Sequence, residues 1–133
     1  VDLSQGMLDI ALARGIYDRL ERGEILAYLR QCALRYDLIV AADVLVYFGD
    51  LCPVFDAVAA VLNDAGYFVL TLEKGGDPGY RLRSTGRYQH AAEYLRECAT
   101  RAGFETLSYA EECLREQDGR PLTGCFVVLQ KGQ

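Results

Sequence analysis

Two apolar runs constrain this chain more than anything else in it. Asp37-Leu38-Ile39-Val40-Ala41-Ala42 reads as a continuous apolar strand, and Tyr67 to Leu72 reads as a second. Between them, Leu51 to Leu62 is helical, with Asp50 placed to cap it and Pro53 tolerated in its first turn. Runs without polar alternation are buried on both faces, as in a parallel sheet covered by helices. Strand, helix, strand in this order predicts an α/β fold.

The flanking segments extend the alternation. Val1-Asp2-Leu3 reads as the end of a buried strand running into a helix from Ser4 to Arg14. That helix carries Met7, Leu8, Ala11 and Leu12 on one face, and Gly15 is placed to cap its end. Ile16 to Leu20 suggests a short strand, and Ile25 to Leu34 another helix. Asn63-Asp64-Ala65-Gly66 reads as a turn, and Gly75 to Gly79 as a loop. Arg87 to Ala102 reads as a helix with Ala91, Tyr94, Leu95 and Cys98 inward and Gly103 as its stop. Phe104 to Glu111 and Gly124 to Gln130 read as strands joined through a turn at 117–121, close enough to form an antiparallel hairpin. No internal repeat or low-complexity tract interrupts the pattern. The 133 residues fit one domain, 1–133, with a single core.

Composition removes several classes. The net charge of −5 lacks the basic footprint of a nucleic-acid binder, so no nucleic-acid partner is expected. No apolar run approaches the ~20 residues that cross a bilayer as a helix, so no membrane partner is expected either. The five cysteines, at 32, 52, 98, 113 and 125, include no C-x-x-C pair and share the chain with one histidine. That spacing argues against a zinc site and against a disulfide framework. Reduced thiols, mostly buried among apolar residues, suit a cytoplasmic location.

Asp2 carries the first functional signal. A strand ending in a carboxylate just before a helix is one half of a nucleotide site, where the acid grips ribose hydroxyls. The other half is a glycine-rich turn after a preceding strand, and no such turn stands in these residues. A capping acid occupies nearly the same place, so Asp2 has a purely structural reading as well.

Several motifs resemble one family. Val1-Asp2-Leu3-Ser4-Gln5-Gly6-Met7-Leu8 looks like the "VDLS-x-x-ML" stretch of class I S-adenosylmethionine-dependent methyltransferases. Residues 37–47 resemble that family's fourth strand and the substrate-side turn after it. Leu62 to Phe68 is similar to its "L-x-P-G-G-x-F" turn into strand five, and Ala102-Gly103-Phe104-Glu105 to its "AGF" step into strand six. The stretches 41–51 and 86–94 resemble the small methyltransferase domains often fused to TPR repeats. Each motif is weak alone; four in order at family spacing are strong.

The resemblance implies a Rossmann-like α/β fold, mostly parallel with a C-terminal antiparallel hairpin and the strand order 3-2-1-4-5-7-6. It implies a chain that starts after the family's first strand and glycine-rich loop. A fragment of that kind is expected to be inactive alone. It also implies S-adenosyl-L-methionine as cofactor and a small-molecule acceptor. Cofactor contacts fall on Asp2, Leu3, Met7, Glu24, Ile25, Ala41 and Ala42, with Asp2 on the ribose and Leu3 against adenine. Asp43, Tyr47, Arg87, Tyr88 and His90 fall on the substrate side. Each also has a bland reading: Leu3 and Met7 as core, Glu24 as a helix-start acid, Asp43 as a turn residue, Tyr47 as a half-buried aromatic. His90 and Tyr47 are the candidates for a catalytic base, though a lone histidine is more often structural. No metal is expected.

Without its central strand, the sheet would leave an open edge on Asp37–Ala42, and exposed apolar edges recruit partners. Dimerisation, segment exchange, or movement of Ile16–Leu20 onto that edge would cover it. Two other functions fit the same residues. One is a non-catalytic methyltransferase-like module that binds a partner protein. The other is a nicotinamide-dinucleotide enzyme, against which the terminal hairpin and the Ala41-Ala42-Asp43 turn both argue.

Overall fold

A computed structural model describes residues 1–133. The residues form two compact units, Val1–Leu34 and Arg35–Gln133.

The first unit contains helix α1 (Gln5–Arg14) and helix α2 (Ile25–Gln31). Ser4 caps α1 by accepting a hydrogen bond from the Met7 amide at 3.2 Å, and Gly15 ends it in the left-handed region. Glu24 caps α2, its two carboxylate oxygens accepting from the Leu26 and Ala27 amides at 2.9 Å each. The expected buried strand at Val1–Leu3 is a single parallel bridge between Asp2 and Arg22, with Val1 and Leu3 exposed. No strand forms over Ile16–Leu20; Ile16 and Tyr17 are exposed. The inward face expected for α1 is also narrower, because Leu8 is buried while Met7 and Leu12 are not. Helix α2 stops at Gln31, three residues short of Leu34.

The second unit is one six-stranded sheet with two helices. Its elements are β1 (Tyr36–Ala41), a 3₁₀ turn (Leu45–Tyr47), α3 (Cys52–Val61), β2 (Leu62–Lys74), β3 (Tyr80–Leu82), β4 (Tyr88–His90), α4 (Ala92–Arg101), β5 (Phe104–Gln117) and β6 (Arg120–Lys131). β1 pairs parallel to β2, reached through the α3 crossover, and β2 pairs parallel to β4. The β2–β6, β5–β6 and β3–β4 pairs are antiparallel. The sheet is therefore mixed and mostly antiparallel, where a mostly parallel one was expected. The long β5–β6 hairpin and the short β3–β4 pair account for the difference. Asp118 and Gly119 both have positive φ at the hairpin turn, the geometry that matches strand twist in a two-residue connection.

One face of the sheet holds the core. Phe68, Leu70 and Leu72 of β2 stand opposite Leu129, Val127 and Cys125 of β6, and all six are buried. Phe55 and Val58 of α3 and Leu95 and Ala99 of α4 are buried in the same unit. Phe55 meets Phe68 edge-on with centroids 5.5 Å apart and Phe104 at 6.3 Å. Each such buried side chain contributes ~1.5–3 kcal/mol.

The opposite face corrects the expectation of strands buried on both sides. Leu38 and Val40 are 55% and 60% exposed, Tyr67 is exposed opposite Leu38 in register, and Phe126 is exposed on β6. β1 pairs with β2 alone. Two further boundaries move. Residues 63–66 belong to β2, as an irregularity in which β2 advances from Leu62 to Tyr67 while β1 advances from Tyr36 to Leu38. The helix expected from Arg87 begins only at Ala92, because Tyr88–His90 is drawn into the sheet between β2 and β3.

Candidate functional site

The candidate residues divide between the two units. In the first, Asp2 stands just before α1, and its Oδ1 accepts from the Ser4 amide at 2.8 Å. Leu3 and Met7 are exposed, so neither is core. Glu24 has both oxygens committed to the α2 cap, and Ile25 opens that helix half-buried.

In the second unit, the remaining candidates lie beyond the C-terminal end of β1, where open α/β sheets bind ligands. Ala41 is buried and Ala42 exposed at the strand end. Asp43 follows with φ +56, a left-handed conformation uncommon for a residue with a side chain. The Thr71 hydroxyl of β2 holds it there, accepting from the Asp43 amide at 2.8 Å. The Asp43 carboxylate lies 3.6 Å from Arg87 and 3.4 Å from Arg115. Arg87 packs over the Tyr47 ring at 5.7 Å and reaches the Tyr47 hydroxyl at 3.5 Å.

The structure adds a residue that sequence reading did not single out. Glu73, near the end of β2, has a side chain 2% exposed and lies 3.5 Å from Arg115 and 3.9 Å from Arg87. Burial raises its carboxyl above the ordinary carboxylate range; Arg87 opposes that shift and Asp43 adds to it. Two carboxylates and two guanidiniums thus form one cluster across the C-terminal ends of β1 and β2. A carboxylate closing the apolar run Phe68–Leu72 was the sequence signal for Glu73. Arg115, 42 residues further on in β5, had no local signal at all.

His90 is not on a substrate-facing surface. It is 1% exposed, and its Nε2 lies 2.8 Å from the Phe48 carbonyl and 3.0 Å from the Gly49 carbonyl. Both partners only accept, so Nε2 carries the proton and donates it. The imidazole stacks on Tyr94 at 6.2 Å, and burial lowers its pKa against the pull of the two carbonyls. This arrangement is structural and argues against His90 as the catalytic base. Tyr88 joins Tyr80 in the same aromatic group, with centroids 5.9 Å apart. Gly49 fits under both rings, since a Cβ there would lie 2.8 Å from Tyr80 and 2.9 Å from Tyr88. Of the five residues expected on the substrate side, the structure therefore brings together Asp43, Tyr47 and Arg87, and puts Tyr88 and His90 into packing.

An open cleft of about 460 Å³ lies beside the cluster. Glu73 lines it, with Arg83, Ser84 and Thr85 from the turn after β3, and Gln117 and Arg120 from the β5–β6 turn. Among the cysteines, Cys98 and Cys125 are buried, Cys32 and Cys52 partly buried, and Cys113 exposed. No group of three or more metal-ligating side chains gathers anywhere in the chain.

No family model and no curated protein matches this chain. Solved structures do match. An S-adenosylmethionine-dependent methyltransferase from Methanosarcina mazei is 14% identical with a TM-score of 0.73, over 98% of this chain and 80% of that one. The N-methyltransferase NodS from Bradyrhizobium japonicum is 18% identical with a TM-score of 0.73, over 99% of this chain and 71% of that one. The [4+2]-cyclase SpnF is 18% identical with the same TM-score, over 98% of this chain and 65% of that one. The order β1-β2-β6-β5 in the sheet is the 4-5-7-6 portion of the order expected from the sequence. The chain has the α/β fold of S-adenosylmethionine-dependent methyltransferases.

Proposed function

We infer that the chain carries out S-adenosylmethionine-dependent methyl transfer to a small-molecule acceptor. The observation that carries this reading is the fold match across 98% of the chain to methyltransferases. The finer placement, beside methyltransferase domains fused to TPR repeats and in the cytoplasm, rests on sequence motifs and cysteine spacing.

Taken unit by unit, the residues suit the parts of the cofactor that the family resemblance assigns them. Asp2 uses one carboxylate oxygen on Ser4, which leaves the other to accept ribose hydroxyls. Leu3 and Met7 offer exposed apolar surface of the kind adenine needs. Ala41 and Ala42 keep the end of β1 free of bulk. Glu24 fixes the start of α2, and with it Ile25, rather than touching the ligand.

When bound, the sulfonium cofactor supplies a methyl group that is already electrophilic. The protein's task is then to align the acceptor and exclude water, and orientation alone supplies ~7–11 kcal/mol of effective molarity. Asp43 is pinned by Thr71 and Tyr47 by Arg87, so both present fixed polar groups to an acceptor. Transfer of label from tritiated S-adenosylmethionine to small molecules in a metabolite extract tests the reading. Labelled product from the full-length protein supports it; none, from a protein that binds S-adenosylhomocysteine, refutes the transfer step.

A second reading has its own observation. The exposed Leu38 and Val40 on a strand paired along one side suit a binding module whose edge pairs with another chain. Sedimentation of wild type against Leu38→Lys/Val40→Lys tests it. Association lost in the variant supports edge pairing, and a monomeric wild type excludes pairing between copies of this chain.

A further inference from the structure

We propose that the cleft beside Glu73 is the acceptor site and takes a small molecule bearing an anionic group, a carboxylate or a phosphate. This inference deepens the methyltransferase reading and rests on it for the word acceptor. The anion site itself stands on the geometry.

Charge balance is the first argument. The chain is acidic overall, at −5. Yet two arginines at this cleft, Arg83 and Arg120, have no carboxylate within ion-pairing distance. Nearby, Arg87 and Arg115 are shared with Glu73 and Asp43. The cleft lining itself holds Arg83 and Arg120 against Glu73 and Asp118, but Glu73 is engaged by Arg87 and Arg115, so the two lining arginines face Asp118 alone. An anion supplies the missing charge.

Unsatisfied polar atoms stand behind the same wall of the cleft. Glu73 Oε2, Arg87 Nη1 and Arg115 Nη2 are all buried, and none has a hydrogen-bond partner of acceptable geometry. They face one another at 3.5–3.9 Å, in attraction but not in register. Buried polar atoms in native proteins nearly always find partners. Arg87 and Arg115 do not line the cleft; they hold Glu73 back at its wall, which leaves Arg83 and Arg120 to meet an acceptor oxygen from outside.

Position is the third. Glu73 sits at the C-terminal end of β2, on the ligand side of an open α/β sheet. The Ser84 and Thr85 hydroxyls and the Gln89 and Gln117 amides surround the same space. Arginine forks paired with hydroxyl donors match the planar oxygens of a carboxylate or the tetrahedral oxygens of a phosphate.

The test is a titration of the ¹⁵N-labelled full-length protein at fixed ionic strength. The probes are sodium benzoate, its neutral analogue benzamide, and inorganic phosphate. Saturable shifts are expected at residues 83–85, 89, 117–120 and 122 with benzoate or phosphate, and none with benzamide. Arg83→Gln and Arg120→Gln should each weaken the anion by roughly tenfold or more, as for a lost charge-assisted hydrogen bond. Both side chains are exposed, so these variants keep the fold, and their spectra verify it. Shifts of equal size with benzamide, shifts confined elsewhere, or unchanged affinity in both variants would overturn the proposal. S-adenosylhomocysteine binding is measured on the same samples. Anion binding without it would retain the anion site and remove the methyltransferase reading.

Discussion

Replacing Arg115 with methionine should expose how the charge cluster is balanced. Glu73 has a side chain 2% exposed, and Arg115 is the nearer of its two arginines, at 3.5 Å against 3.9 Å for Arg87. Removing one partner of a fully buried ion pair costs about 3–5 kcal/mol, because the remaining charge is left uncompensated. Arg115 is 33% exposed and its other partner, Asp43, is 54% exposed. Water therefore screens part of the interaction, and Arg87 remains, so the expected cost is about 1–2 kcal/mol. In a chain of this size that lowers Tm by roughly 3–8 °C. The double variant Glu73→Gln/Arg115→Met removes the stranded carboxylate and should be more stable than Arg115→Met alone. The penalty is also pH-dependent. Burial raises the Glu73 carboxyl above its ordinary 4.5, so the folded state holds that proton more tightly than the unfolded chain. Its contribution is most favourable below about pH 4.5 and declines as pH rises through the raised value. Urea unfolding of wild type and both variants, from pH 4 upward, measures all of this. A double variant no more stable than Arg115→Met, at every pH, would refute the reasoning.

Other expectations follow from single contacts. The Tyr94 hydroxyl accepts from the buried Leu51 amide at 3.0 Å and donates to Asp50 at 2.9 Å, joining α4 to the start of α3. Tyr94→Phe orphans that amide and should cost about 1–3 kcal/mol in chemical denaturation. His90 is held neutral by burial, so the folded state binds fewer protons there than the unfolded chain. Stability from this group is complete above the ordinary 6.5 and falls as pH drops below it; His90→Gln should flatten that part of the profile. The Cys52 and Cys98 sulfurs lie 2.6 Å apart, bridging α3 and α4. Hydrogen peroxide should take two protons and two electrons from this pair, giving one disulfide and two waters. Thiol titration would then fall from five groups to three in wild type but not in Cys98→Ala.

The sequence revealed those parts of the fold that depend on local chemistry. Ser4, Gly15 and Gly103 act where their types predict, because caps and stops need only neighbouring backbone; Asp50 accepts from the Cys52 amide but stands one residue ahead of the N-cap, Leu51. The runs 37–41 and 67–72 became strands as continuous apolar stretches, the second one rich in β-branched and aromatic residues. What failed was non-local. Tyr88-Gln89-His90 sits at the start of a helical pattern, yet pairing with Glu73 and Lys74 draws it into the sheet. The run Leu38–Val40 reads as fully buried, while one of its faces is open. At the site, Asp43 and Tyr47 were legible from their place after a strand. Their partners Thr71, Glu73 and Arg115 were not, since register across three strands decides which side chains meet.

Calorimetric titration of the full-length protein with S-adenosylhomocysteine shows whether the fold holds this cofactor. Wild type should bind it stoichiometrically. Asp2→Ala should bind it roughly 10–150-fold more weakly, as charge-assisted hydrogen bonds to the ribose are lost. That variant should lose only about 1 kcal/mol of stability, since Ser4 still caps α1. Affinity in Asp2→Ala equal to wild type would leave Asp2 its turn bond to Ser4 and nothing more. No heat from wild type, in a sample that circular dichroism shows to be folded, would contradict the account.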